Sequence, residues 1–380
     1  MIIANVHDMR DLARRRLPRA LFDFIDGGAQ DEVTMRRNRE DFSRFTLVPR
    51  VLTDVSSRDQ SVTVLGQNYT SPLILAPTGL PGVLWPNGAI EAACAADEDG
   101  VGFCLSTMST SSIEEVAAVS RRPVMFQLYV MRDRGLAKAM MERAKAVGCG
   151  ALVLTVDLQV QGQRDRDVRN GLTIPPRFRF ANAVDFALHP GWVWRFLRGP
   201  QVTLANFRGT GKSDDMFTIA SFVNSQFDPS VTWKDIEWVR SVWDGPLALK
   251  GILDGDDARL AAEHGVNAVI VGNHGGRQLD GVPSAILALA DVVDAVEGRA
   301  DVILDGGVRR GSDVLKALCL GAKACMVGRA FLYGLAAQGG TGVRRVLEML
   351  RTEIDVNLAL LGRAGVKDLD RTAIGWSGRV

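Results

Sequence analysis

Eight short apolar runs, each followed by a stretch of helical character, constrain this chain more than any other feature. They begin near Pro72 (PLILAP), Val101 (VGFCLS), Pro123 (PVMFQLY), Ala151 (ALVLTVD), Pro246 (PLALKG), Asn267 (NAVIVGN), Asp301 (DVILDGG) and Lys323 (KACMVGR). Nearly all are apolar throughout and rich in Leu or β-branched residues, the pattern of strands covered on both faces. Ala89–Asp99, Ile113–Val119, Gly135–Val147, Thr232–Trp243, Asp256–His264, Pro283–Val296 and Ser312–Leu320 read as the intervening helices. Ser111 with Glu114, and Thr232 with Asp235, fit the helix-start pattern in which a hydroxyl and a carboxylate three residues on cap each other's amides. Strand–helix alternation builds right-handed parallel βαβ units. Eight units most simply close into a (β/α)8 TIM barrel, because the alternative, an open doubly wound sheet, usually has fewer.

The expected organisation is therefore α/β, one domain over residues 1–380, with the barrel at about 71–335. A helix at Asp8–Arg16, then FDFIDGGAQDE and a basic, polar stretch to Tyr69, form an N-terminal helical extension. The gap between runs four and five is far longer than the rest, so a long insertion, about 163–230, follows strand 4 on the face where barrel active sites lie. Thr341–Leu361 reads as a further amphipathic helix.

Lys plus Arg number 45 against 44 Asp plus Glu, a formal charge of +1, which gives no global field for nucleic acid. Cys94, Cys104, Cys149, Cys319 and Cys325 lie too far apart for a zinc site and read as small hydrophobes in a reduced compartment; no metal is expected. No apolar run is long enough to span a bilayer, and the N-terminus lacks the charge order of a signal peptide. These features suit a cytoplasmic chain.

Barrel chemistry sits at the C-terminal ends of the strands. The eight runs end in Pro77-Thr78-Gly79, Ser106-Thr107, Gln127-Leu128-Tyr129, Thr155-Val156-Asp157, Lys250-Gly251, Gly272-Asn273-His274-Gly275-Gly276-Arg277, Asp305-Gly306-Gly307-Val308-Arg309 and Gly328-Arg329. The last two ends join glycines, arginines and a following helix N-terminus, as phosphate sites do. DGGVRRG reads as a loop with free backbone amides. GTGKS at Gly209–Ser213 is no P-loop, since Asn206 stands where that motif needs glycine. Lys250 ends an otherwise apolar run, so it faces an anion or a polarised ring, or else reaches solvent at the rim. Of four histidines, His7, His189 and His264 lie in helical or insertion contexts. His274 stands between glycines at a strand end, three residues before Arg277. Arg277 can clamp a carboxylate bidentately, and Asp157 can orient the imidazole. Base, clamp and orienting carboxylate suit proton abstraction from the α-carbon or the hydroxyl of a small acid.

These residues resemble the FMN-dependent L-2-hydroxy acid dehydrogenases and oxidases, whose members act on lactate, mandelate or glycolate. The resemblance runs over nearly the whole chain. GNHGGRQLD (Gly272–Asp280) is its most specific motif, supported by FQLYV (Phe126–Val130), LTVD (Leu154–Asp157), DGGVRRGSDVLKAL (Asp305–Leu318) and GRAFLYGLA (Gly328–Ala336). Phe227–Asp254 is most like the lactate branch; Ala76–Gly88 and Leu188–Gly199 are more like the mandelate branch.

The resemblance implies that FMN lies across the barrel mouth. Its phosphate would meet Gly307, Arg309, Gly328 and Arg329, with Asp305 and Gly306 on the ribityl side. Pro77, Thr78, Gly79, Ser106, Gln127, Thr155 and Lys250 would touch ring and chain. His274, with Asp157, would take the substrate proton; Arg277 and Arg164 would hold the carboxylate, with Tyr129 near the hydroxyl. The acceptor would be a quinone, a cytochrome or oxygen, and the assembly a homotetramer. Two positions depart from the family: Phe24 replaces a substrate-binding tyrosine, and Gly272 a serine. A flavin-binding paralogue with little turnover, or an FMN barrel of another reaction class, is the competing expectation. The insertion mixes aromatics with arginines in Arg177–Phe180 and Gly191–Arg198. It reads either as a lid or as an interfacial anchor holding the protein peripherally on the inner face of the cell membrane.

Overall fold

The computed structural model describes residues 1–172, 177, 179–208 and 216–377. Eight strands close a parallel barrel: β1 (Leu73–Leu75), β2 (Gly102–Ser106), β3 (Met125–Leu128), β4 (Ala151–Thr155), β5 (Leu247–Ile252), β6 (Ala268–Gly272), β7 (Asp301–Asp305) and β8 (Ala324–Val327). Each pairs with the next in the chain, and β8 closes on β1 through Met326 beside Ile74. Their alternate residues face two cores, which explains the uniformly apolar runs. Ile74, Met125, Val153, Ala248, Ile270 and Ile303 fill the barrel interior, while Leu75, Phe126, Leu154, Leu249 and Val271 pack outward against the helices.

The alternation breaks once. In β5, Lys250 pairs with Ile270 and Ile252 with Val271, so Gly251 is the extra residue of a β-bulge. Ala248 points inward and Leu249 outward, and Ile252 joins the outer core although a regular strand would turn it inward. Gly251 has φ +110°, a conformation that glycine alone adopts without strain.

The seven barrel helices lie where the periodicity places them, within a residue or two. One cap is corrected: Ser112, not Ser111, caps helix Ile113–Ala117, and its partner is Glu115, not Glu114. Thr232 fits in half: its amide donates to Asp235 Oδ2 at 2.8 Å, but the N-cap is Trp233 and no side chain caps helix Lys234–Val242. Thr341–Leu361 is the second half of a longer helix, Arg329–Leu361, kinked at Gln338 and Gly339.

The N-terminal extension holds more helix than its polarity suggests: Val6–Arg16, Arg19–Asp26 and Val33–Glu40. Asp26 pins it to the barrel. Its carboxylate accepts two bonds from Arg10, at 2.6 and 2.7 Å, and one from the Tyr333 hydroxyl at 2.7 Å. Arg166, from the insertion, donates to it at 3.3 Å. Ala29 donates to the Gly276 carbonyl at 2.8 Å, so the segment after Asp26 is laid against the loop leaving β6.

The insertion contributes helices Asp165–Arg169, Phe180–Ala187, Pro190–Arg198 and Met216–Ser225. Phe180, Val184 and Leu188 form one exposed apolar stripe at helical spacing, joined by Trp194 (58% exposed) and Leu197 (74%). Trp192 turns the other way, buried, with its indole donating to the Val83 carbonyl. Gly209–Ser213 and Phe178 lie outside the described residues. Among those described, no helix is long and apolar enough to cross a membrane.

Candidate active site

The loops at the C-terminal ends of the strands, closed over by helix Arg19–Asp26, surround a cleft that is partly open to solvent. Phe24, Pro77, Thr78, Gly79, Gln127, Tyr129, Thr155, Lys250, His274, Arg277, Asp305, Gly306, Gly307, Arg309, Gly328 and Arg329 all line it. Three expected site residues do not. Ser106 stands behind Gln127, its hydroxyl donating to Oε1 at 3.1 Å. Asp157 stands behind His274, and Arg164 beside Arg277, whose carbonyl accepts from its Nε at 3.4 Å. Ile25, Ala76, Met326 and Leu332 also line the cleft; as apolar residues among many, they carry no sequence signal.

His274 Nδ1 donates to Asp157 Oδ1 at 2.9 Å. In the neutral ring that bond places the proton on Nδ1 and turns Nε2 into the acceptor. Burial opposes ionisation of Asp157, but His274 and then Lys250 outweigh it and hold its carboxyl below the usual range. His274 itself has φ +56°. The strained turn is over-determined by Asn273, which exchanges amide hydrogen bonds with Asn38 at 2.7 and 2.9 Å and accepts from the Gly276 amide at 3.0 Å. The Asn38–Asn273 pair joins two distant segments and is invisible in the sequence.

Arg277 is half-buried, and its Nη1 donates to the carbonyls of Phe24 and Gly27 at 2.7 and 3.0 Å. Its guanidinium carbon lies 5.2 Å from the Phe24 ring centre. Burial pushes the guanidinium well below its usual range, and Arg164 and Arg329 push it further. Burial likewise lowers Arg164. Asp167 offsets part of the charge of both arginines, and a substrate carboxylate suits the rest. Tyr129 packs edge-on against Phe227 at 5.4 Å, with its phenol raised by burial and by Asp157. Its hydroxyl therefore stays protonated as a donor.

At the far end, Lys250 Nζ lies 2.5 Å from Asp305 Oδ2. Burial opposes the ammonium, but Asp305 and Asp157 raise it above its usual range, so it stays charged at the barrel floor. Gln127 Nε2 is buried without a hydrogen-bond partner among the described residues. Arg309 is buried beside the Tyr333 ring, with one bond, to the Val308 carbonyl. The reading of DGGVRRG as a loop of free amides is corrected in its second half. Arg309 and Arg310 donate their backbone N–H groups to Asp313, both at 2.9 Å, and Gly311 donates to Glu353. No side chain caps helix Arg329–Leu361, so the uncapped N-terminus lies after β8. Arg329 is shared: it donates to the carbonyls of Ile25, Gly275 and Gly27 at 3.1, 2.8 and 2.7 Å, stapling the N-terminal segment to the β6 loop.

A parallel barrel with a basic, glycine-lined end and a histidine–carboxylate pair at its mouth defines a flavin-type oxidoreductase site, and sequence comparison agrees. The pattern of the FMN-dependent dehydrogenases matches residues 13–375, and the chain belongs to that family. It is 44% identical to an L-lactate dehydrogenase of Acinetobacter baylyi over 98% of both chains. An L-lactate dehydrogenase of a Caulobacter species is also 44% identical, over the full length of both. Among solved structures, the monotopic membrane protein (S)-mandelate dehydrogenase superposes with TM-score 0.96 at 40% identity, covering 99% of this chain and all of that one. A mandelate oxidase superposes with TM-score 0.83 at 36% identity, covering 98% of each.

The cofactor is FMN, and the cleft fits it. Gln127 Nε2 is a donor awaiting a ring acceptor. A Cβ at Gly328 would meet nothing nearer than Ala76 Cβ at 3.8 Å, so this glycine keeps space open rather than serving packing. Gly307 is different: φ is +79° and a Cβ would fall 1.7 Å from the Asn38 carbonyl, so it lets helix Val33–Glu40 close on the β7 loop.

Proposed function

We propose that this enzyme oxidises a small L-2-hydroxy acid of the lactate or mandelate type to the 2-oxo acid. The observation that carries the reading is the His274–Asp157 pair, 2.9 Å apart, opening on the cleft that Arg277 also lines. FMN, when bound, supplies the two-electron sink. Arg309, the amides after Gly328 and part of Arg329 hold its phosphate; Gln127, Thr155, Lys250 and the Pro77–Gly79 turn meet the ring and chain. Arg277, with Arg164 behind it, binds the substrate carboxylate. Tyr129 donates to the substrate oxygen. His274 Nε2 takes the substrate proton, and Asp157 stabilises the imidazolium that results. Lys250 places positive charge where the reduced ring needs it.

Phe24, stacked against Arg277, leaves the carboxylate one hydroxyl donor short of the family pattern and favours substrates with an apolar side chain. The exposed stripe Phe180–Val184–Leu188, with Trp194 and Leu197 beside Arg195 and Arg198, suits attachment to an anionic membrane surface. A quinone or membrane cytochrome is the acceptor that suits this attachment, and a homotetramer is the assembly we expect. Incubating the enzyme with L-lactate or L-mandelate and an artificial electron acceptor, with 2-oxo acid as the readout, tests the reaction. Formation of pyruvate or benzoylformate from the L but not the D acid supports it, and no 2-oxo acid from any L-2-hydroxy acid overturns it.

A further inference from the structure

The bulge in β5 sits beside Asp157 of the His274–Asp157 pair. Gly251 is the extra residue, at φ +110°, and a Cβ built there would stand 2.6 Å from both Cβ and Cγ of Asp157 and 2.9 Å from its Oδ2. All three atoms belong to one side chain. Real Cβ atoms essentially never approach a neighbour that closely, so any side chain at 251 must displace Asp157. The Val156 amide donates to the Lys250 carbonyl at 2.9 Å, which locks the backbone on either side of the contact. Asp157 thus has no room to yield by moving its own strand end, and its carboxylate must swing instead. Among the described residues, His274 is the one side chain bonded to Oδ1, and Oδ2 is buried with no partner. No second side chain among them keeps the carboxylate in place, and contact with the bare Gly251 backbone lies beside it. The same bulge turns Ile252 outward, so that Lys250 is the last inward side chain of β5 and reaches Asp305.

The geometry points to Gly251 as a positioning residue: a missing side chain at a strand bulge forms the socket that holds the Asp157 carboxylate against His274. The inference rests on the proposed roles of His274 and Asp157, and its test separates the two. Flavin reduction by L-2-hydroxy acid is followed in the FMN-loaded enzyme for Gly251→Ala, for Asp157→Gly and for the double variant. Gly251→Ala should keep its FMN and a KM within about twofold, while reduction slows at least about tenfold. Asp157→Gly removes the three atoms nearest the new methyl. The backbone strain at φ +110° remains, so adding Gly251→Ala to it should slow reduction by far less than the roughly tenfold expected of Gly251→Ala alone, the non-additivity expected of residues that act as one. This arm stands even if Gly251→Ala alone fails to fold. Reduction at the wild-type rate in Gly251→Ala, or an equal further loss in the double variant, overturns the socket. An Asp157→Gly variant that reduces normally would instead overturn the role given to Asp157.

Discussion

His274 Nδ1 and Asp157 Oδ1 stand 2.9 Å apart at the barrel mouth, although 117 residues separate them in the chain. Closure of the barrel is what joins them, since β4 and β6 flank β5. If this histidine is the base, His274→Gln should retain FMN yet lower the rate of flavin reduction at least about a hundredfold, the usual scale for a positioned base. Stopped-flow absorbance reads both quantities, and near-normal reduction would remove His274 from that role.

The two arginines of the phosphate end should separate. Among the described residues the Arg309 guanidinium makes one hydrogen bond and has its other donors to offer, so Arg309→Ala should weaken FMN binding by about 1.5–3 kcal/mol and leave KM nearly unchanged. Arg329 also carries the carbonyls of Ile25, Gly27 and Gly275, so Arg329→Ala should weaken FMN and raise KM together as the segment bearing Phe24 loosens. Fluorescence titration of apoprotein with FMN, beside steady-state KM, distinguishes them; matching profiles would contradict the staple.

Phe24 lines the cleft and stacks on Arg277. Phe24→Tyr should raise kcat/KM for L-lactate by roughly tenfold, about one hydrogen bond, with little gain or a loss for the bulkier L-mandelate. Equal changes for both acids would show that this position does not discriminate.

Asp26 supplies a pH-dependent anchor. Burial opposes its ionisation, but Arg10, Tyr333 and Arg329 hold its carboxyl below the usual range. A depressed folded value means the stabilisation is complete above about pH 4, the unfolded carboxyl range, and drains as pH falls through the folded value. Asp26→Asn should cost about 1–3 kcal/mol at pH 7, and the gap to wild type should narrow below about pH 4. Thermal unfolding across that range measures it; a gap independent of pH would refute the ionic anchor.

What the sequence discloses follows from how locally each feature is written. Strands covered on both faces print as solid apolar runs, and polar residues that close such runs mark the rim; hence His274, Lys250 and Arg309 were legible. Helices Arg19–Asp26 and Val33–Glu40 were not, because each is short and neither has a capping side chain; Pro18 and Glu32 stand at their N-caps. Two adjacent serines made the Ser111 and Ser112 caps indistinguishable until backbone geometry chose Ser112. The amides of Arg309 and Arg310 look free in DGGVRRG because the acid that takes them, Asp313, reads as an ordinary first-turn residue. Gly251 is silent for a different reason: its neighbour Asp157 belongs to another strand.

The most direct test of the whole account is anaerobic mixing of the FMN-loaded protein with single enantiomers of lactate and mandelate while flavin absorbance is recorded. The account predicts bleaching by at least one L acid and by neither D acid, slowed when the substrate carries deuterium at C2. A flavin that stays oxidised with every L-2-hydroxy acid offered would contradict it.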